Sequence, residues 1–163
     1  MPAAVLAAAL IYAAALPKVA YRPDPAARTD VGTVTLSLPR SQCFGVLRAQ
    51  VLLSSQKSDR KRLYVLSVTV ADSVTPERIT GAEAGGASLA LASVHNGDVA
   101  CTEYQCPQGS AGIFPLGEAA RTEPLSVTVH TTAVGNCDPV VAIEPAVFQA
   151  LAAWADKLPP AKG

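Results

Sequence analysis

Four stretches of this chain alternate aliphatic and polar side chains with a period of two, and only one stretch repeats at the spacing of a helix. Val34, Leu36 and Leu38 alternate with Thr33, Thr35 and Ser37. Leu47, Ala49, Val51 and Leu53 are set against Arg48 and Gln50, and Tyr64, Leu66, Val68 and Val70 against Ser67 and Thr69. Leu125, Val127 and Val129 are set against Ser126, Thr128 and His130. Successive side chains of a strand point to opposite faces, so each run predicts a half-buried strand with its aliphatic set turned inward. Strands of this kind belong to antiparallel sheets with one face on the core. The hydrophilic SSQKSDRK between the second and third runs has the length and composition of a hairpin connection.

Weaker signals fill the intervals. Thr75, Pro76 and Glu77 resemble a helix start that Gly81, Gly85 and Gly86 soon interrupt. Residues Ala87 to Val94 predict a small-residue strand, and Asn96-Gly97 predicts a two-residue turn leading into a second arm from Val99 to Tyr104. From there to Glu123 the chain reads as irregular, and Val140 to Ile143 adds a short last strand. The period then changes: Val147, Phe148, Leu151, Trp154, Ala155 and Leu158 form the stripe of an amphipathic helix that opens at Glu144-Pro145 and stops at Pro159-Pro160. Phe148, Leu151 and Trp154 are its expected core anchors. The fold expected is mainly β, an antiparallel β-sandwich or half-barrel with one C-terminal amphipathic helix closing an open end or edge.

The organisation expected along the chain is a signal-peptide-like segment over 1–20, a linker over 21–30, one β-rich domain over 31–158 and a tail over 159–163. Ala3 to Leu16 is an uncharged apolar run of fourteen residues. At 1.5 Å per residue a helix of that length reaches about 21 Å, short of the roughly 30 Å of a hydrocarbon core. It matches instead the apolar region of a secretory leader, with Ala13-Ala14-Ala15 as a small-residue cleavage pattern and a mature start near Leu16. Left uncleaved, the same run would serve as an N-terminal anchor and the one means of membrane attachment. The stretch from Tyr21 to Asp30 holds two prolines and mixed charge, the composition of a linker.

Thirteen basic and thirteen acidic residues leave a net charge of zero, so the basic footprint of a nucleic-acid binder is absent. Half of the residues are apolar, which argues for a folded chain rather than a solvated tail. The four cysteines, Cys43, Cys101, Cys106 and Cys137, lie beyond the leader-like run, and an even count fits an oxidising compartment. Three pairings are open; the short interval between Cys101 and Cys106 favours a closed loop there, leaving Cys43 to pair with Cys137. The competing use is metal: His95, Cys101, Cys106, His130 and Cys137 are donors for zinc or copper, although no Cys-x-x-Cys or His-x-His spacing supports them.

No nucleophile elbow, His-Glu-x-x-His, Walker loop or dinucleotide glycine motif occurs. Only His95 and His130 could act as an imidazole base, and Asp98 with Glu103 suits solvation better than acid-base work. The basic cluster Lys57, Arg60, Lys61 and Arg62 suits a soluble hairpin tip. The reading that results is a non-enzymatic exported module, periplasmic or extracellular, held by disulfides, needing no cofactor, and contacting another envelope or extracellular protein through a sheet edge or hairpin loops. A metal or small-ligand binding protein is the alternative, and an atypical hydrolase a distant one.

Overall fold

The computed structural model describes residues 15–24, 26, 28–72 and 76–161. The apolar run that carries the leader expectation lies outside these residues except for its last two positions. So does Thr75, the expected helix cap. No helix among the described residues is long and apolar enough to cross a membrane.

Among the described residues ten antiparallel strands form two sheets, followed by one helix. The strands are β1 (Ala20–Asp24), β2 (Thr29–Thr35), β3 (Val46–Gln56), β4 (Arg62–Asp72), β5 (Ile79–Ala84), β6 (Ala87–Leu89), β7 (Ser93–Asp98), β8 (Gln108–Gly117), β9 (Leu125–Thr131) and β10 (Val140–Ile143). The helix, α1, covers Pro145–Asp156. Six strands make the large sheet in the order β1-β2-β3-β4-β8-β7, and four make the small one, β10-β9-β5-β6. This is a β-sandwich with one C-terminal helix. The small sheet covers the inner face near β8, while α1 packs over β2 and β3 and so extends the second layer.

The period-two runs of β3, β4 and β9 turn their aliphatic sets to the core, whereas the first run leaves β2 after Thr35, with Leu36 and Leu38 half-buried beyond it. Ala49, Val51 and Leu53 of β3, Tyr64, Leu66, Val68 and Val70 of β4, and Val127 and Val129 of β9 are almost wholly shielded from solvent and belong to one core. β3 and β4 pair over ten residues, from Val46 opposite Ala71 to Ser55 opposite Arg62, across the expected hairpin. Phe148 and Leu151 are fully buried, and the Phe148 ring meets Tyr64 edge-on with centroids 5.4 Å apart. Trp154 lies at the rim of the core, partly buried, 5.9 Å from the Tyr21 ring. Pro145 takes the first helical turn, where its missing N–H costs nothing. Glu144 caps through its backbone carbonyl, which accepts from the Val147 N–H at 3.0 Å, and its carboxylate makes no cap bond.

Five local expectations are revised, the first being the single strand from Ala87 to Val94, which divides into β6 of the small sheet and β7 of the large one. The order begins earlier than Val31: Ala20–Asp24, within the stretch of linker composition, pairs as β1 with β2, and Tyr21 sits opposite Gly32. No helix follows Pro76; the chain enters β5 at Ile79. Asn96 and Gly97 lie inside β7, opposite Ser110 and Gly109, because a longer partner is available than a hairpin arm at Val99 to Tyr104. That partner, β8, runs through the segment expected to be irregular. Its Pro115 pairs with Val65 of β4 beyond the last β7 partner, Ile113, where β8 has a neighbour on one side and the missing N–H is tolerated.

The helix is seated on β2 through a missing side chain. The inner face of β2 is Asp30, Gly32 and Val34, all buried. A Cβ built on Gly32 would fall 2.5 Å from Cε3 of Trp154, so the indole occupies the space any other residue would need. Gly32→Ala is expected to cost about 1 to 3 kcal/mol in urea denaturation, as overpacking does. Gly81→Ala, where a Cβ meets nothing within 4 Å, is expected to change stability by less than about 0.5 kcal/mol.

Candidate functional site

Chemistry-bearing residues gather in three places: the free edge of β7 with the loop that follows it, the outer face of β9, and the tip of the β3-β4 hairpin. At the first, Cys101 and Cys106 are disulfide-bonded and close a small ring directly after β7. The Val99 N–H donates to the carbonyl of Pro107 at 3.0 Å and so clamps the neck of the loop. Inside the ring the Thr102 N–H donates to the Gln105 carbonyl at 2.7 Å, and Thr102 Oγ1 accepts from the Gln105 N–H at 3.1 Å. Ala100 is held at φ 51°, a left-handed conformation that costs a non-glycine residue roughly 1 kcal/mol. This ordered ring presents Tyr104 at its apex, 86 % exposed.

Beside the ring, β7 is the outermost strand of the large sheet among the described residues, bonded to β8 on one side. Val94 on this strand is 41 % exposed, and His95, Asn96 and Asp98 are also solvent-facing. Asp98 is bonded to Gln108 across the ladder, and Glu103 is exposed on the ring, so these two carboxylates form no buried acid-base pair. A strand edge offers backbone donors and acceptors, and a rigid aromatic next to it offers contact area at little entropic cost. Together they can take up an extended segment of another chain.

At the second place, His130 stands on the outer face of β9, as the alternation requires. Its Nδ1 lies 2.9 Å from Asp138 Oδ2 and its Nε2 3.7 Å from Glu83 Oε2. Asp138 Oδ1 accepts from the Thr131 N–H at 2.9 Å and from the Thr131 hydroxyl at 3.3 Å. The hydrogen bond to Asp138 raises His130 above its ordinary value of 6.5, opposed by desolvation and supported by the charges of Asp138 and Glu83. Burial alone would raise Asp138, but the bonds from His130 and Thr131 outweigh it and hold the carboxyl below 3.8. The Asp138 carboxylate orients this imidazole, and among the described residues no hydroxyl or thiol hydrogen-bonds to it.

The metal set of the alternative reading is not brought together. Cys101 and Cys106 are bonded to each other and Cys137 to Cys43, with 5.7 Å between the Cα atoms of that second pair. Those sulfurs have no thiolate to offer. His95 is on the large sheet and His130 on the small one. Among the described residues no group of three His, Cys, Asp or Glu side chains could hold an ion.

At the third place the basic run is spent on ion pairs within the chain. Arg60 donates to Asp30 Oδ2 at 2.7 Å, Lys61 reaches Glu118 at 3.0 Å and Arg62 reaches Asp156 on α1 at 2.7 Å. These contacts tie the hairpin tip to β2, to the end of β8 and to the helix, in place of a freely solvated tip. Asp30 was hidden in the linker-like stretch; the usable signal was its parity with Gly32 and Val34, which puts a carboxylate on the inner face and demands a partner.

His130 is raised in the folded state, so its contribution to stability is complete below 6.5 and is lost as pH rises through the raised value. Asp138 is lowered, so its contribution is present above 3.8 and is lost as pH falls through the lowered value. The pair therefore stabilises most between those limits. A proton NMR titration of His130 is expected to give a midpoint above 6.5, and Asp138→Asn is expected to bring it down. No protein-family model, curated protein or solved structure matches this chain.

Proposed function

We propose that this chain is an exported, non-enzymatic interaction module whose β7 edge and Tyr104 ring bind an extended segment of another envelope or extracellular protein. The observation that carries the reading is that all four cysteines are paired, leaving no free thiol. Paired cysteines fit an oxidising compartment, the periplasm or the cell exterior, and the leader-like segment fits delivery to it. The shorter bridge also orders the ring that exposes Tyr104, so one chemical feature serves both location and recognition. Tyrosine on a rigid loop beside a free strand edge is a common anchor in protein contacts.

The test has two parts. Alkylation of the unreduced protein from its native cells is expected to label no cysteine, with the N-terminus near Leu16; four labelled cysteines on a chain starting at Met1 would contradict export. A photo-crosslinking residue at Tyr104 or Val94 is expected to capture one defined protein in those cells, whereas the same probe at Lys157, on the helix end, is not. Equal yields at all three positions would contradict the interaction surface.

A further inference from the structure

Where β1, the β3-β4 hairpin and the chain after α1 converge, a cleft of about 270 Å³ opens. It is lined by Tyr21, Asp30, Lys57, Arg60, Leu158 and the Pro159-Pro160 pair. Asp30 is the buried charge at its floor, with a side chain only 5 % exposed. Its Oδ2 is taken by Arg60, and its Oδ1 accepts from the Tyr21 hydroxyl at 2.8 Å. The remaining cation, Lys57, stands 3.9 Å from Oδ1 with its side chain 43 % exposed. One carboxylate thus faces two cations, and the cleft carries one positive charge in excess.

Two further features show that the cationic side is built and incompletely satisfied. Arg60 is held at φ 59°, a position where a hairpin would ordinarily place glycine or asparagine, with its N–H on the Gln56 carbonyl at 2.9 Å. This left-handed turn sets Arg60 at the hairpin tip, where its guanidinium meets Asp30 in the cleft. The Nε of that guanidinium is shielded and has no hydrogen-bond partner among the described residues. The opposite wall, formed by Leu158 and the prolines, is apolar, and Tyr21 presents a ring.

From this arrangement we infer that the cleft binds a carboxylate borne on a small apolar body, with the carboxylate on Lys57 and the Arg60 head and the body against Tyr21, Leu158 and Pro159. A net positive cleft beside an apolar wall selects against cations and against fully polar anions. The volume lies just under the 300 to 1,000 Å³ of pockets that hold drug-sized ligands, so a single ring or one residue fits. A free aromatic acid and the C-terminal residue of a peptide share this chemistry. A larger hollow of about 470 Å³, on the outer face of β1 to β3, has the exposed Arg22 as its charged lining residue and no buried charge at its floor.

The test is an NMR titration of the protein with phenylacetate, with benzyl alcohol, and with an acetylated tripeptide ending in phenylalanine, as free acid and as amide. Saturable shifts at Tyr21, Lys57 and Leu158 are expected with both carboxylates. Lys57→Gln, at a half-exposed and loosely paired position, is expected to keep the fold and weaken that binding about tenfold, in keeping with a lost charge-assisted hydrogen bond. Tighter binding of the free-acid peptide than of phenylacetate identifies a chain terminus as the source, and the reverse a free acid. Equal shifts from benzyl alcohol or the amide, the same shifts from sodium chloride at matched ionic strength, or unchanged affinity in Lys57→Gln would overturn the inference.

Discussion

The bridge between Cys43 and Cys137 links two layers that share no strand. Cys43 lies just before β3 of the large sheet, and Cys137 lies between β9 and β10 of the small one. Across the interface between the sheets, a buried hydrogen bond runs from the Ile79 N–H to Ser110 Oγ at 3.0 Å, beside the apolar contact of the shared core. The core that must hold the layers is largely Val and Leu, with Phe114, Phe148 and Tyr64 as its large residues. Closing a loop of 94 residues removes freedom from the unfolded chain worth about 4 to 5 kcal/mol in the chain-entropy view. That is a large share of the 5 to 15 kcal/mol typical of a domain.

Next to this covalent tie, the burial of Asp30 organises the far end of the molecule. A carboxylate on an inner face costs several kcal/mol unless it is paired, and the hairpin tip supplies the pairing through Arg60 and Lys57. Burial would raise the Asp30 carboxyl, yet the bonds from Arg60 and Tyr21 and the charge of Lys57 hold it below 3.8. The same carboxylate raises Tyr21, chiefly through their hydrogen bond. Tyr21 then stacks obliquely on Trp154, which fills the space over Gly32. Charge pairing at the hairpin tip and aromatic packing at the helix rim are thus one continuous network, from β1 to the end of α1.

Legibility followed the strength of the local period. β3, β4 and β9 each alternate over several positions, and α1 carries five buried residues at helical spacing, so sequence alone placed them. β8 was hidden because glycine, alanine and proline dilute its alternation; only Phe114 and Leu116 mark the inner face strongly. β1 was hidden because its support is tertiary, a tyrosine hydroxyl on Asp30 and a ring on Trp154. Asn96-Gly97 misled because a turn preference of about 1 kcal/mol yields to a ladder of six paired residues. Of the candidate sites, the Cys101–Cys106 pair was favoured by its short interval, and Cys43–Cys137 followed from it by elimination. The convergence of Tyr21, Asp30, Lys57 and Arg60 was not, because it joins strand parity to a distant hairpin.

In this fold the long bridge, more than the short one, is expected to hold the two layers together. Urea denaturation of a Cys43→Ser, Cys137→Ser protein and of a Cys101→Ser, Cys106→Ser protein tests it directly. Loop-closure entropy predicts a loss of about 4 to 5 kcal/mol for the first and about 2 kcal/mol for the second. A loss for Cys43 and Cys137 no larger than that for Cys101 and Cys106 would contradict it, and would mean that the apolar interface alone keeps the sheets in register.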